Sequence, residues 1–301
     1  MHLECFVEHG SGANLRLVGN FLPLVALAAA LVAQPAMVAS SPELGSLERQ
    51  LFSLVASGSS DVGIAALDLT RGTVISINGD QSYPMASTVK VAIAATYLAQ
   101  VDHGRRSMSD PIGGKTAAQL MNLMLIHSDN RATDLLLNNL GGPTTVSQWL
   151  NFNGMSGMRI DRTIAQLLHA RRDLRDRRDS ATPMAMVELL RKIDSGNVLS
   201  TGSRALLLAT MANCQTGRNR IKALLPYGTR VEHKTGTLDG LTDDVGFITL
   251  DDGRRIAVAI FARGGSNRAQ TLAQAARAIY DGFRSSISSY AVVPGPPEAV
   301  N

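Results

Sequence analysis

Apolar and polar residues along this chain follow two periods, which occupy different parts of the sequence. Near both ends apolar residues recur at every second position, as in β-strands, whereas in the middle they recur every three or four positions, as in helices. The predicted strands cover residues 62–69, 73–77, 230–233, 245–250 and 255–263, and the predicted helices cover residues 41–56, 88–99, 117–126, 132–140, 145–153, 184–193, 203–212 and 268–284. Residues 161–182 are dense in charge and are predicted to form a surface loop.

This order of elements predicts an α+β fold, in which an antiparallel sheet is flanked by terminal helices and an all-helical lobe is inserted. Strands from both ends of the chain must share a sheet if their apolar faces are to be buried together. We assign residues 41–86 and 213–290 to an α/β lobe and residues 87–212 to the helical lobe. Ligands usually bind in clefts between such lobes. Residues 291–301 contain three prolines and are predicted to be a disordered tail.

The N-terminal segment has the pattern of a secretory signal. Arg16 precedes an apolar run over residues 21–33, after which small residues continue to Ser40. A run of about 13 residues is short for a membrane span, although an uncleaved anchor is the alternative. We therefore predict that residues 1–40 are removed and that the protein is periplasmic or secreted, without stable membrane insertion after processing. The processed chain would keep one cysteine, Cys214, and no disulfide.

Composition excludes several classes of protein. Hydrophobic residues make up 45% and charged residues 18% of the chain, which excludes a disordered protein. The net charge is +4, from 29 basic and 25 acidic residues that are interspersed, so no basic stripe for nucleic acid is present. The six histidines lack the spacing of metal ligands, and we predict neither a metal nor another cofactor.

The first candidate motif is Ser87-Thr88-Val89-Lys90, at the predicted start of an apolar helix. Residues three apart on a helix share a face, so the Lys90 amine can reach the Ser87 hydroxyl. A serine hydroxyl needs a base beside it to act as a nucleophile, and lysine is a base only when burial or a nearby cation lowers its pKa. Free N–H groups at the helix start could receive a developing oxyanion. The alternative is a helix-capping serine with a surface lysine.

The second motif, Ser128-Asp129-Asn130, lies between two predicted helices. A helix cap would explain such residues without any function. The functional interpretation makes the Ser128 hydroxyl a proton shuttle to a leaving nitrogen, and Asn130 a hydrogen-bonding partner of a substrate amide.

The third motif, Lys234-Thr235-Gly236-Thr237, lies on a predicted strand that continues to residue 237. Lys234 could supply the second positive charge that keeps Lys90 deprotonated. Gly236 would let a substrate backbone lie close to the strand, and the Thr237 N–H could be a second oxyanion donor. A surface turn is the alternative for this motif taken alone.

Together and in this order, the three motifs resemble those of the class A β-lactamase family of penicillin-recognising serine hydrolases. The likeness extends from about residue 47 to residue 287, and it includes Gly141-Gly142-Pro143 and Arg178-Asp179 with Thr182-Pro183. The resemblance implies a covalent acyl-enzyme at Ser87 and a β-lactam or peptidoglycan-like amide as substrate. It implies catalytic roles for Ser87, Lys90, Ser128 and Lys234, and substrate-binding roles for Asn130, Thr235, Gly236, Thr237 and Arg220. It also implies a structural pair between Arg162 and Asp179.

The charged loop departs from the pattern of this family, whose members that destroy β-lactams carry a glutamate there to activate the deacylating water. Ile164 or Gln166 occupies that position, depending on which end of the loop is aligned, and neither is a base near neutral pH. Asp173 or Asp176 could substitute, but the arginines around them favour surface pairs. Glu232 is a remoter candidate and is expected to be a charge partner.

Two further differences concern the cleft. The segment between Lys90 and Ser128 is shorter than the resemblance implies, which would leave the cleft more open. The family also needs an arginine near the third motif to hold the substrate carboxylate; Arg220 could reach it, or could be a surface residue.

Three functions remain open at this stage. The first is a β-lactamase-like hydrolase that forms and releases an acyl-enzyme. The second is a penicillin-binding or D,D-peptidase-like protein that is acylated but releases the product slowly. The third is a non-catalytic binding domain of the cell envelope, which the presence of Ser87, Lys90, Ser128 and Lys234 argues against. We expect a monomer.

Overall fold

The computed structural model of the protein describes residues 44–286. The predicted signal segment, residues 1–40, and the predicted tail, residues 291–301, lie outside the described residues. Between residues 44 and 286 no helix is both long and apolar enough to cross a membrane.

Helices and strands follow one another along the described chain in the predicted order. The α-helices are α1 (Gly45–Ser57), α2 (Lys90–Asp102), α3 (Ala117–Ile126), α4 (Asn130–Asn139), α5 (Pro143–Phe152), α6 (Ile164–His169), α7 (Pro183–Asp194), α8 (Thr201–Ala212) and α9 (Arg268–Ser285). The strands are β1 (Asp61–Asp68), β2 (Val74–Ile77), β3 (Tyr83–Pro84), β4 (Pro111–Ile112), β5 (Lys115–Thr116), β6 (Met158–Arg159), β7 (Ser180–Ala181), β8 (Val231–Leu238), β9 (Leu241–Thr249) and β10 (Arg255–Arg263). Two 3-10 turns cover Ala86–Val89 and Ile221–Leu224.

The main sheet has five strands in the order β2-β1-β10-β9-β8, and all its pairs are antiparallel. β1 therefore lies beside β10, which comes from the far end of the chain, with Ile64 opposite Ile260. β8, which carries the third motif, is an edge strand. An edge strand has main-chain groups that no neighbouring strand occupies, so β8 can receive another chain segment or a ligand along its open side.

Both faces of this sheet are buried, and successive residues of β10 point to opposite sides. Ile256, Val258 and Ile260 pack on one face in a cluster with residues of α1 and α9. Ala257 and Phe261 pack on the other face in a cluster that includes the helices between β3 and β8. Side chains of a strand point alternately to the two faces of its sheet. Because both faces are buried here, apolar residues are favoured at every position of β10.

The predicted fold class is confirmed, because helices are combined with an antiparallel sheet whose strands come from both ends of the chain. The division into lobes remains a prediction. The segment assigned to the helical lobe also carries short strands: β4 pairs with β5, and β7 lies between β3 and β6. The charged loop over residues 161–182 is not irregular throughout, because it contains the short helix α6.

Candidate active site

Ser87 lies in a 3-10 turn, and the α-helix predicted over residues 88–99 begins two residues later than expected, at Lys90. The turn is held from both sides: the Met85 N–H donates to the Asp179 carbonyl at 2.9 Å, and the Thr88 hydroxyl donates to the Met85 carbonyl at 2.7 Å. Ala86 has a φ of 46°, a conformation that costs a residue with a Cβ about 1 kcal/mol or more. Such strain persists only where the surroundings impose it, and here it presents a half-buried Ser87.

Lys90 is fully buried, and its amine contacts the second motif. Lys90 Nζ donates to Ser128 O at 2.7 Å, to Ser128 Oγ at 3.1 Å and to Asn130 Oδ1 at 2.8 Å. None of these three bonds goes to Ser87, one turn of chain away. Burial first, and the charge of Lys234 second, lower the pKa of Lys90 to about 7. The amine therefore loses its proton near neutral pH, as the first motif predicts for a base.

The second motif begins a helix, as the capping interpretation of its sequence predicts. Asp129 is the N-cap of α4, and its side chain accepts the Ala132 N–H at 2.6 Å. Ser128, just before the cap, has a φ of 59°, in the left-handed region that residues with a Cβ rarely adopt. The cap fixes the start of α4. The left-handed backbone of Ser128, just before the cap, directs its own hydroxyl toward Lys90.

Lys234 reaches the same hydroxyl from β8. It is fully buried, and its Nζ donates to Ser128 Oγ at 2.9 Å and to the Thr235 carbonyl at 2.8 Å. Burial lowers the pKa of Lys234 to about 8, although Cys214 and Asp244 act in the opposite direction. Ser128 Oγ thus accepts hydrogen bonds from two lysine amines, one on α2 and one on β8.

Gly236 lies where β8 approaches the turn that carries Ser87. A Cβ there would lie 2.7 Å from the Met85 carbonyl and 3.1 Å from Thr88 Cγ2. The missing side chain therefore allows this close approach, and the predicted contact of Gly236 with a substrate backbone stays a prediction. Of the other residues in this motif, Thr235 is buried and Thr237 is exposed at the end of the strand.

Arg220 is not a surface residue, since only 9% of it is exposed. Its Nη1 donates to the carbonyls of Gly236 and Asp243, both at 2.8 Å, and its Nη2 donates to Thr237 Oγ1 at 2.6 Å. The guanidinium thus lies against β8 and places a fixed positive charge beside Thr237.

The charged loop is fastened by the predicted pair. Arg162 Nε lies 2.5 Å from Asp179 Oδ2, and Asp179 Oδ1 accepts the main-chain N–H groups of Asp161 and Arg162. Because Asp179 also binds Met85 through its carbonyl, the loop is tied to the turn that carries Ser87.

At the position that the family fills with glutamate, the two candidates differ in structure. Ile164 is the first residue of α6 and is 5% exposed. Gln166 is exposed, and its Oε1 accepts the Thr163 N–H at 2.9 Å in a capping box. Asp134 of α4 accepts the N–H groups of Ile164 and Ala165, an interaction that the sequence did not reveal.

The other carboxylates considered as substitute bases are already engaged. Hydrogen bonds from Arg178, opposed by partial burial, lower the pKa of Asp176 to about 2. Asp173 is exposed and accepts the Arg175 N–H at 2.8 Å. Glu232 pairs with Arg230 and, from the other side, with Arg255, so it is a charge partner as expected.

The cleft opens beside Asn130 into a groove of about 390 Å³ between α4 and α6. The apolar side chains of Leu135, Ala165 and Leu168 line it together with polar ones such as Asp134 and His169. No residue between Lys90 and Ser128 lines this groove. The expectation that the short segment between the first two motifs leaves the cleft more open therefore stays a prediction.

Sequence reasoning missed a buried group behind the third motif. His233 Nδ1 lies 2.8 Å from Asp244 Oδ1, and both residues are 0% exposed. Cys214 lies nearby, and Thr216 joins it to Thr235 by hydrogen bonds. The sequence held one signal of this group. His233 lies directly before Lys234, within a strand whose next residues were assigned to catalysis and substrate binding.

Comparison with known proteins agrees with this geometry. The model of the β-lactamase enzyme family matches residues 46–283. The extended-spectrum β-lactamase PER-1 of Pseudomonas aeruginosa is 31% identical over 268 residues, covering 78% of this chain and 86% of that protein. The β-lactamase OXY-2 of Klebsiella oxytoca is 30% identical over 284 residues, covering 86% and 96%.

Solved structures give the same result. An ancestral class A β-lactamase superposes with a TM-score of 0.75 at 32% identity, covering 79% of this chain and 100% of that one. A β-lactamase from Chitinophaga pinensis superposes with a TM-score of 0.73 at 27% identity, covering 79% and 99%. The family match, the sequence identity and the shared fold together identify the chain as a serine β-lactamase-like hydrolase that belongs to the class A β-lactamase family.

Proposed function

We propose that the protein opens β-lactam amides by forming an acyl-enzyme at Ser87. The observation that carries this proposal is the hydroxyl of Ser128, which accepts hydrogen bonds from Lys90 at 3.1 Å and from Lys234 at 2.9 Å. An unreactive hydroxyl does not need two buried amines, whereas a proton shuttle beside a serine nucleophile does. The names of the similar β-lactamases support the same class of substrate.

In the acylation step, the Ser87 hydroxyl loses its proton to neutral Lys90 as Oγ bonds to the lactam carbonyl carbon. The carbonyl oxygen becomes an oxyanion, which main-chain N–H groups of Ser87 and Thr237 would stabilise. When the C–N bond breaks, Ser128 gives its proton to the lactam nitrogen and recovers one from Lys90. The step balances because one ester bond replaces one amide bond. The proton that Ser87 loses passes to Lys90 and then to Ser128, whose own proton has gone to the lactam nitrogen.

Substrate binding is assigned to groups around this centre. Asn130 would bind the side-chain amide of the substrate. The positive charges of Lys234 and Arg220, with the hydroxyls of Thr235 and Thr237, would attract its carboxylate. The groove beside Asn130 would receive an apolar acyl substituent.

A second candidate function, acylation followed by slow release, is favoured by a specific observation. The charged loop offers Ile164 and Gln166 where a general base would be needed, and Asp176 is held ionised by arginines with a pKa of about 2. A carboxylate of such low basicity is a poor base for water. The protein would then act as a penicillin-binding or D,D-peptidase-like protein toward peptidoglycan-like amides.

The time course of the adduct separates these functions. The protein is mixed with benzylpenicillin, its mass is followed by mass spectrometry, and the absorbance of the lactam is recorded in parallel. A Ser87 adduct that decays as absorbance falls rapidly supports turnover, whereas an adduct that lasts for hours supports slow release. Absence of both would overturn the proposal and leave a non-catalytic domain of the cell envelope.

We also propose that the protein is exported to the periplasm or secreted, where β-lactams and peptidoglycan are found, and that it contributes to antibiotic resistance if turnover is efficient. The apolar run over residues 21–33 supports export. A monomer remains our expectation.

Acylation is expected to depend on pH in a bell-shaped manner. Because the pKa of Lys90 is about 7, the neutral form needed as a base accumulates above pH 7, and the rate rises through that value. Above pH 8 the rate falls, because Lys234, with a pKa of about 8, loses its positive charge. The measurement is the second-order acylation rate constant between pH 5.5 and 9.5. Lys234→Arg should move only the alkaline limb to higher pH, whereas a rate that still rises steeply at pH 9.5 in that variant would contradict Lys90 as the base.

A further inference from the structure

The charged loop carries a surplus of positive charge that the acylation steps above do not use. Residues 162–179 contain six arginines and three aspartates. Guanidinium and carboxylate groups are both ionised near neutral pH, so this part of the chain has three positive charges in excess. We call residues 171–178 the arginine segment; it begins two residues after the end of α6 and contains five of the six arginines.

Two carboxylates of the loop neutralise two of its arginines. Asp176 lies 3.1 Å from Arg162 and 2.9 Å from Arg178. Asp179 also binds Arg162, in the pair that fastens the loop. These two aspartates balance these two arginines, so the surplus charge belongs to the other four.

The other four arginines have no such partner. Within residues 44–286 no carboxylate oxygen lies within 4.0 Å of the guanidinium nitrogens of Arg171, Arg172, Arg175 or Arg177. Asp173 lies among them in the sequence, but it is exposed and accepts the main-chain N–H of Arg175 at 2.8 Å. Three of the four arginines are exposed and Arg172 is half-buried. Their charges are therefore open to a ligand.

Leu174, in the middle of the arginine segment, holds the main chain against the main sheet. Its carbonyl accepts Nη1 of Arg263 on β10 at 3.3 Å. Its side chain covers Gly240, where a Cβ would lie 3.0 Å from Leu174 Cδ1. Because Gly240 belongs to the turn between β8 and β9, the segment is fixed beside the end of the strand that carries the third motif.

Arg171 and Arg172 line a small hollow at the side of the acylation site. Ala86, which directly precedes Ser87, and Leu238, the last residue of β8, line the same hollow. The two arginines are therefore close to both elements that carry acylation groups, namely the turn with the nucleophile and the strand with the third motif.

The groove that the proposed function assigns to the acyl substituent borders the same loop. His169, the last residue of α6, lines this groove together with Asn130, and the arginine segment begins two residues later. Asp134 also lines the groove, but both of its oxygens accept main-chain N–H groups, and Arg131 in the same lining offsets its charge. A substituent that reaches from the groove toward the loop therefore meets positive charge.

We propose that Arg171 and Arg172 are specificity-determining residues, which favour substrates that carry a second carboxylate on their acyl side. The inference rests on the proposed function, because it concerns the substrate of that same reaction. Lys234 and Arg220 would attract the carboxylate of the lactam ring system from the side of β8, whereas the arginine segment would attract an anion from the side of the loop. The Debye length is about 10 Å at 0.1 M salt, so this selection acts on groups within the cleft and depends on salt.

Two penicillins that differ by one carboxylate test this proposal. Carbenicillin carries a carboxylate on the side-chain carbon next to the amide carbonyl, where benzylpenicillin carries hydrogen. The dissociation constant Ks and the acylation rate constant k2 are measured at pH 7 in about 20 mM salt, where screening is weak. In Arg171→Gln/Arg172→Gln the ratio of Ks for carbenicillin to Ks for benzylpenicillin should rise about fivefold, the effect of two unit charges about 10 Å away in a hydrated cleft. The k2 of each compound should change less than about twofold.

Salt supplies an independent measurement. In the unmodified protein, about 0.5 M salt should raise the Ks ratio by a similar factor, because the Debye length falls to about 4 Å. The Gln double variant should show a smaller change. A steric role of the two arginines predicts a ratio that does not depend on salt.

Three controls separate the effect of charge from damage to the loop. Arg171→Lys/Arg172→Lys keeps both charges and should keep the Ks ratio within about twofold of the unmodified protein. Arg49→Gln removes an exposed positive charge from α1, which packs on the other face of the main sheet, and should leave the ratio unchanged. Ampicillin carries an amino group in place of the second carboxylate, so its Ks should not rise in the Gln double variant. A damaged loop would raise Ks for all three compounds.

The outcomes are distinguishable from a failure of the proposed function. If the unmodified protein forms no adduct with any of the three penicillins, the proposed function is overturned and the selectivity with it. If the protein is acylated but the Gln double variant keeps the Ks ratio of the unmodified protein, or the Lys double variant loses as much as the Gln variant, only the selectivity is overturned.

Discussion

Replacing Ser87 by alanine is expected to abolish the penicilloyl adduct, with a loss of acylation of about 10⁴-fold or more. The reason is chemical: the half-buried turn presents one hydroxyl to the cleft, and without it no ester can form. Removing one oxygen atom from a half-buried side chain costs about 1 kcal/mol of folding free energy or less, so the variant should stay folded. Mass spectrometry after prolonged incubation with benzylpenicillin measures the effect.

The control for this variant is Ser195→Ala, which removes an exposed serine hydroxyl whose one hydrogen bond within residues 44–286 goes to the Lys192 carbonyl. It should be acylated at the normal rate and to one adduct per chain. An adduct of the same mass on the Ser87→Ala protein would mean that another side chain is the nucleophile. Peptide mapping would then identify it, with Ser128 as the first residue to inspect.

The sheet and the longest helices were predictable because each repeats its period over many residues. β10 was predicted at residues 255–263 and is observed at Arg255–Arg263, and α9 ends one residue beyond its predicted limit. Both elements bury apolar faces, so their sequence periods follow directly from packing. α6 escaped prediction because six residues give less than two turns of pattern, and the arginines after it mask the apolar pair Ile164 and Leu167.

The three motifs predicted which residues would meet, but not how they would be connected. Lys90 bonds to Ser128 and Asn130 rather than to Ser87, because the left-handed backbone at Ser128 directs its hydroxyl and carbonyl to that amine. Arg220 was left between a binding and a surface role, and only the folded chain shows it against β8.

The group around Cys214 remained hidden for a related reason. Its hydrogen bonds join residues up to 19 positions apart, and no local spacing in the sequence records them. A single cysteine, an isolated histidine and two threonines have no shared period, whereas a catalytic motif of fixed spacing does. Contacts that depend on how strands and loops pack are therefore the part of a site that sequence patterns leave open.

Ile164→Glu is expected to accelerate release of the acyl-enzyme about 100-fold, the range that a positioned general base provides. The residue begins α6, and a carboxylate there is favoured by the helix dipole. Because the side chain at this position is buried, and because Asp134 lies beside the helix start, the pKa of the new carboxyl should rise toward neutrality, which suits a base. The decay of the adduct, followed by mass spectrometry after removal of free penicillin, measures the release.

The structure also distinguishes the two positions that sequence alignment left open. Gln166→Glu should keep the capping box, since glutamate replaces glutamine there without loss, but its exposed carboxylate would be bound to the Thr163 N–H and should not speed release. Ile164→Gln is the matched control, because it has the shape of glutamate without a basic group. Faster release in Gln166→Glu but not in Ile164→Glu would show that the loop brings position 166, and not position 164, to the ester. Equal acceleration by Ile164→Gln would show that opening the apolar contact, rather than a base, admits the water.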